Sequence, residues 1–260
     1  EEYQKARERL ALDEFIYLRS IFENLKSEFK TKNKGPKYNF KNSLLDSFVA
    51  DLPFKLTKSQ VKAYKEVLED LKNDYPMKRL LQGDVGSGKT VVAAISIYAV
   101  VNSGYQVALM APTEVLAEQH LNSLNEFLKD SDLEINFLTS SVKDRGQVMN
   151  NISAGKPGLY IGTHALIQDK IFFSNLGLVI IDEQQRFGVD QRKKLISDSA
   201  ITPDQLVMTA TPIPRTTALS IYGDLEISTI NELPPGRKPI ISHLYSGLKK
   251  DNEKVFEKCS

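Results

Sequence analysis

Apolar residues recur at helical spacing from residue 4 to residue 29. Leu10, Phe15, Leu18, Phe22, Leu25 and Phe29 make one stripe, and charges fill the other face. The pattern predicts one long helix, packed on the side of a domain or reaching as a strut to an upstream one. Lys30, Lys32, Lys34, Lys37 and Lys41 then surround Gly35-Pro36, turn chemistry that predicts a basic loop. Such a loop serves as a solvated connector or touches phosphate. Ser43 to Ala50 predicts a short amphipathic helix. Thr57 is a suitable N-cap for a further helix running to about Asp74.

After residue 79 the rhythm changes. Short apolar runs at Leu80-Leu81, Gln106–Met110, Ile135–Leu138, Leu159–Ile161, Leu176–Ile181 and Gln205–Met208 alternate with helical stretches at 91–101, 114–128 and 143–153. Runs without strict alternation indicate strands buried on both faces, hence a mostly parallel sheet between helices. Right-handed crossovers make this an α/β doubly wound domain, in which ligands sit beyond the carboxyl ends of the strands. The turns at Gly83–Thr90, Ala111–Thr113, Gly162–His164, Asp182–Gln185 and Thr209–Thr211 all fall at those ends.

Composition narrows the classes. The chain has 260 residues, 41% of them hydrophobic, enough for one large domain with an appendage. A net charge of +1 means that a nucleic-acid partner would be held by local patches rather than by bulk charge. The single cysteine, Cys259, makes no internal disulfide and suits a reducing cytoplasm. No apolar run approaches membrane-span length, so no membrane partner is expected. Both ends fall in charged helical sequence, so the chain is expected to be a fragment of a longer protein.

Three stretches carry chemistry. Gly83-Asp84-Val85-Gly86-Ser87-Gly88-Lys89-Thr90 fits the phosphate-binding pattern between a strand and a helix. Its glycines let successive amides face one anion, Lys89 brings a mobile ammonium, and Thr90 offers a hydroxyl to Mg²⁺. Asp182, at the end of a buried strand, can hold Mg²⁺ through water, and Glu183 can orient or deprotonate an attacking water. Thr209-Ala210-Thr211 ends a neighbouring strand. Gln60, in a helix's first turn, has an amide that matches an adenine edge, or else is simply solvated.

Taken together these stretches resemble the motor core of superfamily 2 helicases. The resemblance runs through Leu52-Pro53-Phe54-Lys55-Leu56-Thr57 with Gln60, Gly83–Thr90 and Ala111-Pro112-Thr113-Glu114-Val115-Leu116-Ala117-Glu118-Gln119-His120. It continues through Gly162-Thr163-His164, Asp182-Glu183-Gln184-Gln185-Arg186-Phe187, Thr209-Ala210-Thr211-Pro212 and Glu232-Leu233-Pro234-Pro235-Gly236-Arg237, covering about residues 43 to 245. It implies a RecA-like P-loop NTPase fold with linker helices at 1–50, the ATP-binding domain at 51–245, and the start of a connection to a second motor domain at 246–260. It implies ATP and Mg²⁺ as cofactors. Phe54 and Gln60 would hold adenine, and Gly83, Asp84, Val85, Gly86, Ser87, Gly88, Lys89 and Thr90 the phosphates. Lys89, Asp182, Glu183 and Gln185 would serve catalysis, with Thr90 and Asp182 on the metal. Thr209 and Thr211 would couple nucleotide state to DNA. Pro112, Thr113, Gly162, Thr163, His164, Arg186 and Phe187 would line the DNA path.

Within the superfamily the closest pattern is the branch that remodels forked or branched DNA in repair and recombination. That branch usually ends the acid motif in His; Gln185 stands there instead, as in the translocases that couple transcription to repair. The implied partners are DNA, a second RecA-like domain and an upstream wedge domain, and the implied setting is a bacterial-type cytoplasm around the nucleoid. A small-molecule P-loop kinase or a GTPase would need a lid with substrate-binding arginines or an Asn-Lys-x-Asp motif, and neither is present. The chain alone could also act as a catalytically idle nucleotide- and DNA-binding module.

Overall fold

A computed structural model describes residues 2–142, 145–167, 171–183, 201–211 and 225–232. Its centre is a seven-stranded sheet, all of whose described pairings are parallel. The strands are β1 (Lys78–Gly83), β2 (Gln106–Met110), β3 (Ile135–Leu138), β4 (Gly158–Gly162), β5 (Leu176–Asp182), β6 (Asp204–Thr209) and β7 (Glu226–Ile230), in the order β3-β4-β2-β5-β6-β1-β7.

Helices cover both faces, so the inner strands are apolar on both. Leu81, Leu109, Ile161, Ile180 and Met208 point to the face carrying α2 (Asn42–Ala50), α3 (Lys58–Asp70), α4 (Lys89–Asn102) and α5 (Glu114–Phe127). Met110, Tyr160, Val179 and Ile181 point to the other, with Ile152 of α6 (Gly146–Ser153) and Leu166 of a short 3-10 turn. Helix α4 is apolar all round and buried nearly throughout, as a helix enclosed by a sheet and its neighbours must be. The tightest backbone approach is at Gly162, where a Cβ would lie 2.1 Å from the Leu138 carbonyl oxygen; only glycine lets β4 end there beside β3.

Four expectations change. Helix α1 (Glu2–Lys32) exists, but none of its residues is buried, so it does not pack on the domain's side along its length. Among the described residues its last turns touch the sheet's β1–β7 edge, through Lys26 to Glu226 at 3.0 Å and Phe29 beneath the Lys78 ammonium. The helix capped by Thr57 stops at Asp70, four residues short of the expected end, and α6 starts at Gly146 rather than residue 143. Strand β7 was not expected from the sequence. It pairs with β1 and is held by polar side chains: the buried Arg79 guanidinium reaches Asp70 at 2.7 Å and Ser228 at 2.8 Å.

The basic loop after α1 crosses the amino ends of the strands. Gly35 N–H donates to the Asp74 carbonyl at 3.0 Å, and the Tyr38 ring meets Tyr105 edge-on. The Tyr38 hydroxyl reaches both the Gly177 carbonyl at 2.7 Å and a carboxylate oxygen of the buried Asp204 at 2.6 Å. This loop is thus a connector fastened at the end of the sheet away from the nucleotide-type turns. Among the described residues no helix is long and apolar enough to cross a membrane.

Candidate nucleotide site

The loop from β1 to α4 is shaped by its glycines. Gly86 and Gly88 adopt φ of 75° and 91°, the left-handed region that side chains resist. Ser87 N–H closes a turn on the Asp84 carbonyl at 3.0 Å. Asp84, Val85 and Gly86 are exposed, Gly83 is buried, and Gly88, Lys89 and Thr90 are half-buried at the start of α4. The Lys89 ammonium donates to the Gly83 carbonyl at 2.6 Å and the Asp84 carbonyl at 3.0 Å, so it lies across the loop it belongs to. Burial lowers its pKa, and the Asp182, Glu183 and Asp84 carboxylates oppose that shift. Lys89 therefore sits within electrostatic reach of both acids. The Ser87 hydroxyl is buried and has no hydrogen-bond partner among the described residues.

These features fit a polyphosphate. A curled loop at a helix start and an ammonium make a ready anion cradle, and the carboxylates nearby suit a cation that neutralises the phosphates. Among the described residues no cluster of three or more His, Cys, Asp or Glu side chains is placed to hold a metal unaided. A Mg²⁺ held mainly through water and phosphate oxygens needs none.

Gln60 is not solvated: it is 1% exposed. Its Oε1 accepts from Thr57 N–H at 2.8 Å and its Nε2 donates to the Ser87 carbonyl at 2.8 Å. The Thr57 hydroxyl accepts in turn from Gln60 N–H, completing a capping box. One amide therefore caps α3 and braces the phosphate loop, and any side chain at Gly88 would strike it. The Glu232 carboxylate also accepts from Ser59 N–H at 3.1 Å, tying the segment after β7 to the same turn. Phe54 is exposed, with its ring edge-on to Phe127 at 5.6 Å.

Asp182 ends β5 on the same face as Leu178 and Ile180, the face of α4 and α5, because strand side chains alternate. Its Oδ2 accepts from His120 Nε2 at 2.8 Å. Sequence reasoning placed His120 in a matching stretch but gave it no role; a lone histidine seven residues after a helix cap carries no signal until the fold closes. Glu183 has φ of 50°, unusual for a side-chain-bearing residue. Its N–H donates to the Met208 carbonyl at 2.9 Å, and its Oε1 accepts from Ala210 N–H at 2.9 Å. The Thr209 and Thr211 hydroxyls lie 2.8 Å apart. The second acid and the Thr-Ala-Thr turn are thus joined directly.

The turns after β2 and β4 lie side by side, with Ala111 N–H donating to the Gly162 carbonyl at 2.9 Å. Pro112 precedes Thr113, whose hydroxyl accepts from Leu116 N–H and caps α5. Glu114 accepts from Ser140 Oγ at 2.6 Å and Ser141 N–H at 3.3 Å, which lower its pKa and fix the turn after β3. Thr163 is buried and His164 exposed. Gln185, Arg186 and Phe187 lie outside the described residues.

A parallel sheet with a glycine-rich loop after β1 and paired acids after β5 is the arrangement of the P-loop NTPase fold. The sequence pattern of DEAD/DEAH box helicases matches residues 57–219, and the chain belongs to that family. Within it, the chain is similar to proteins named ATP-dependent DNA helicase RecG. That of Aquifex aeolicus (strain VF5) is 52% identical over 253 residues, 96% of this chain and 32% of the relative. That of Streptococcus pneumoniae serotype 4 is 46% identical over 243 residues, 93% of this chain and 36% of the relative. A solved structure of RecG bound to a three-way DNA junction superposes with a TM-score of 0.82 at 39% identity, over 98% of this chain and 34% of that one. The chain therefore spans about a third of the length of these relatives, and the fold is the RecA-like helicase fold.

Proposed function

We propose that this chain is the ATP-binding motor domain of a DNA helicase that remodels branched or forked DNA in repair and recombination. The observation that carries the proposal is the siting of the glycine loop after β1, with Lys89 lying across it, and of Asp182 and Glu183 after β5, at the same carboxyl ends of one parallel sheet, in a chain so similar to RecG. Gly83 to Thr90 hold the triphosphate through loop amides, and Lys89 leaves the Gly83 and Asp84 carbonyls for the β- and γ-phosphates. Phe54 and Gln60 flank the adenine, Gln60 by turning its amide from the loop. Thr90 and Asp182 hold Mg²⁺, which supplies charge neutralisation on the phosphate oxygens.

Glu183 orients the attacking water and takes its proton; for this its carboxylate must leave Ala210 N–H. That exchange, together with Gln185, passes nucleotide state to Thr209 and Thr211. Pro112, Thr113, Gly162, Thr163, His164, Arg186 and Phe187 contact the DNA. Residues 1–50 form a helical linker whose exposed α1 reaches an upstream wedge domain. Residues 51–245 form the motor domain, and 246–260 begin the connection to a second one. The setting is the cytoplasm, at the nucleoid. The transcription-coupling reading rests on Gln185 alone, and several relatives at 44–52% identity are RecG.

The test compares ATP turnover of this chain with that of a full-length protein carrying it, each with a three-way DNA junction. A second motor domain supplies the arginines that complete such sites, a contribution of ~10³–10⁵ in rate. The expected result is junction-stimulated turnover in the full-length protein and at least ~10³-fold less in the chain alone. Equal, vigorous turnover by the chain alone contradicts this reading, as does a full-length protein indifferent to the junction.

A further inference from the structure

We propose that His120 is a positioning residue for Asp182, fixing which carboxylate oxygen faces the nucleotide. The inference rests on the reading of Asp182 as the metal carboxylate. An aspartate at a strand end turns about its own bonds, so both of its oxygens can face the loop unless one is held. Here Oδ2 is held, by His120 Nε2 at 2.8 Å. Both side chains are 12% exposed, so water competes little for the bond. No hydrogen bond to Oδ1 is seen among the described residues, so Oδ1 is the oxygen that would face a metal-bound water.

The ring is itself held. Helix α5 carries it two turns from the Thr113 cap, and Ala117 and Leu124 on either side of it are completely buried. Glu114, in the first turn, is pinned to Ser140 and Ser141 after β3. His120 is thus anchored through a rigid helix, whereas Asp182 ends a strand whose next residue already departs to positive φ. A partner that orients a ligating carboxylate typically contributes 10–100-fold in metal affinity.

The experiment uses this chain with a fluorescent ADP, titrated with Mg²⁺ and also measured in EDTA. His120→Ala is expected to raise the Mg²⁺ concentration giving half of the metal-dependent binding gain by ~10-fold, with binding in EDTA unchanged. His120→Gln, whose Nε2 can donate at the same place, is expected to recover most of the loss. His120→Ala added to Asp182→Asn should change nothing further, since the imidazole acts through the carboxylate.

An unchanged Mg²⁺ midpoint in His120→Ala overturns the proposal. So does equal weakening with and without metal, the mark of a merely structural role. If Asp182→Asn itself keeps the native Mg²⁺ dependence, the metal reading of Asp182 fails, a different result from failure at His120 alone.

Discussion

Lys89→Ala is expected to lower the affinity of the chain for ATP analogues by roughly 100-fold or more, the loss of two charge-assisted contacts to phosphate. The fold survives the change. Lys89 is half-buried at the first position of α4, and among the described residues its ammonium bonds to the loop's own Gly83 and Asp84 carbonyls. The rest of α4, from Val91 to Val101, is packed in the core and does not depend on it. Calorimetric titration with a non-hydrolysable ATP analogue, beside a thermal melt, separates binding from folding. Wild-type affinity in a folded Lys89→Ala chain would contradict the site. Lys89→Arg should restore little, because a larger planar guanidinium does not replace a compact ammonium between two phosphates inside a tightly curled loop.

The second large effect lies at the opposite end of the sheet. Asp204 is 2% exposed; burial pushes its carboxyl up to about 7, against the pull of the Tyr38 hydroxyl and Met77 N–H, with Asp70 adding to the rise. A carboxyl with a raised folded pKa binds its proton more tightly in the native state. Stability from this group is therefore complete in acid and falls as pH rises from about 4 through about 7. The change is at most about 4 kcal/mol over that window.

Asp204→Asn keeps an acceptor for Met77 N–H and a donor for the Tyr38 oxygen, and removes the titration. Urea unfolding between pH 5 and pH 8 should show the variant gaining on the wild type as pH rises. Parallel profiles would show that Asp204 is ionised and comfortable where it lies. The loop that follows α1 is fastened by this pair, so loss of the Tyr38 contact should also loosen the linker.

What was legible in the sequence was set by local rules. The phosphate loop needs fixed glycines and a lysine in one short run, and the doubly buried strands need continuous apolar runs. Both signals are complete within a few residues. Strand β7 was hidden because its polar residues are satisfied from far away: Ser228 by Arg79, Glu226 by Lys26. Read locally, Glu-Ile-Ser-Thr-Ile is an ordinary exposed stretch.

Gln60 and His120 show the same limit. Each bonds a partner 27 or 62 residues away, so neither the loop brace nor the carboxylate partner has a local signature. Helix α1 misled in the other direction. Its apolar stripe is real, yet Leu10, Leu18 and Leu25 remain 66%, 47% and 52% exposed. A periodic stripe predicts that a face will be covered, not by what.

A crystal structure of this chain with Mg²⁺ and a non-hydrolysable ATP analogue tests the central claim most directly. The account predicts the β- and γ-phosphates on the amides of Gly86 to Thr90, Lys89 moved from the Gly83 and Asp84 carbonyls onto them, and the metal between Thr90 and Asp182. Phosphates bound at any other surface, with Lys89 still lying across its own loop, would contradict it.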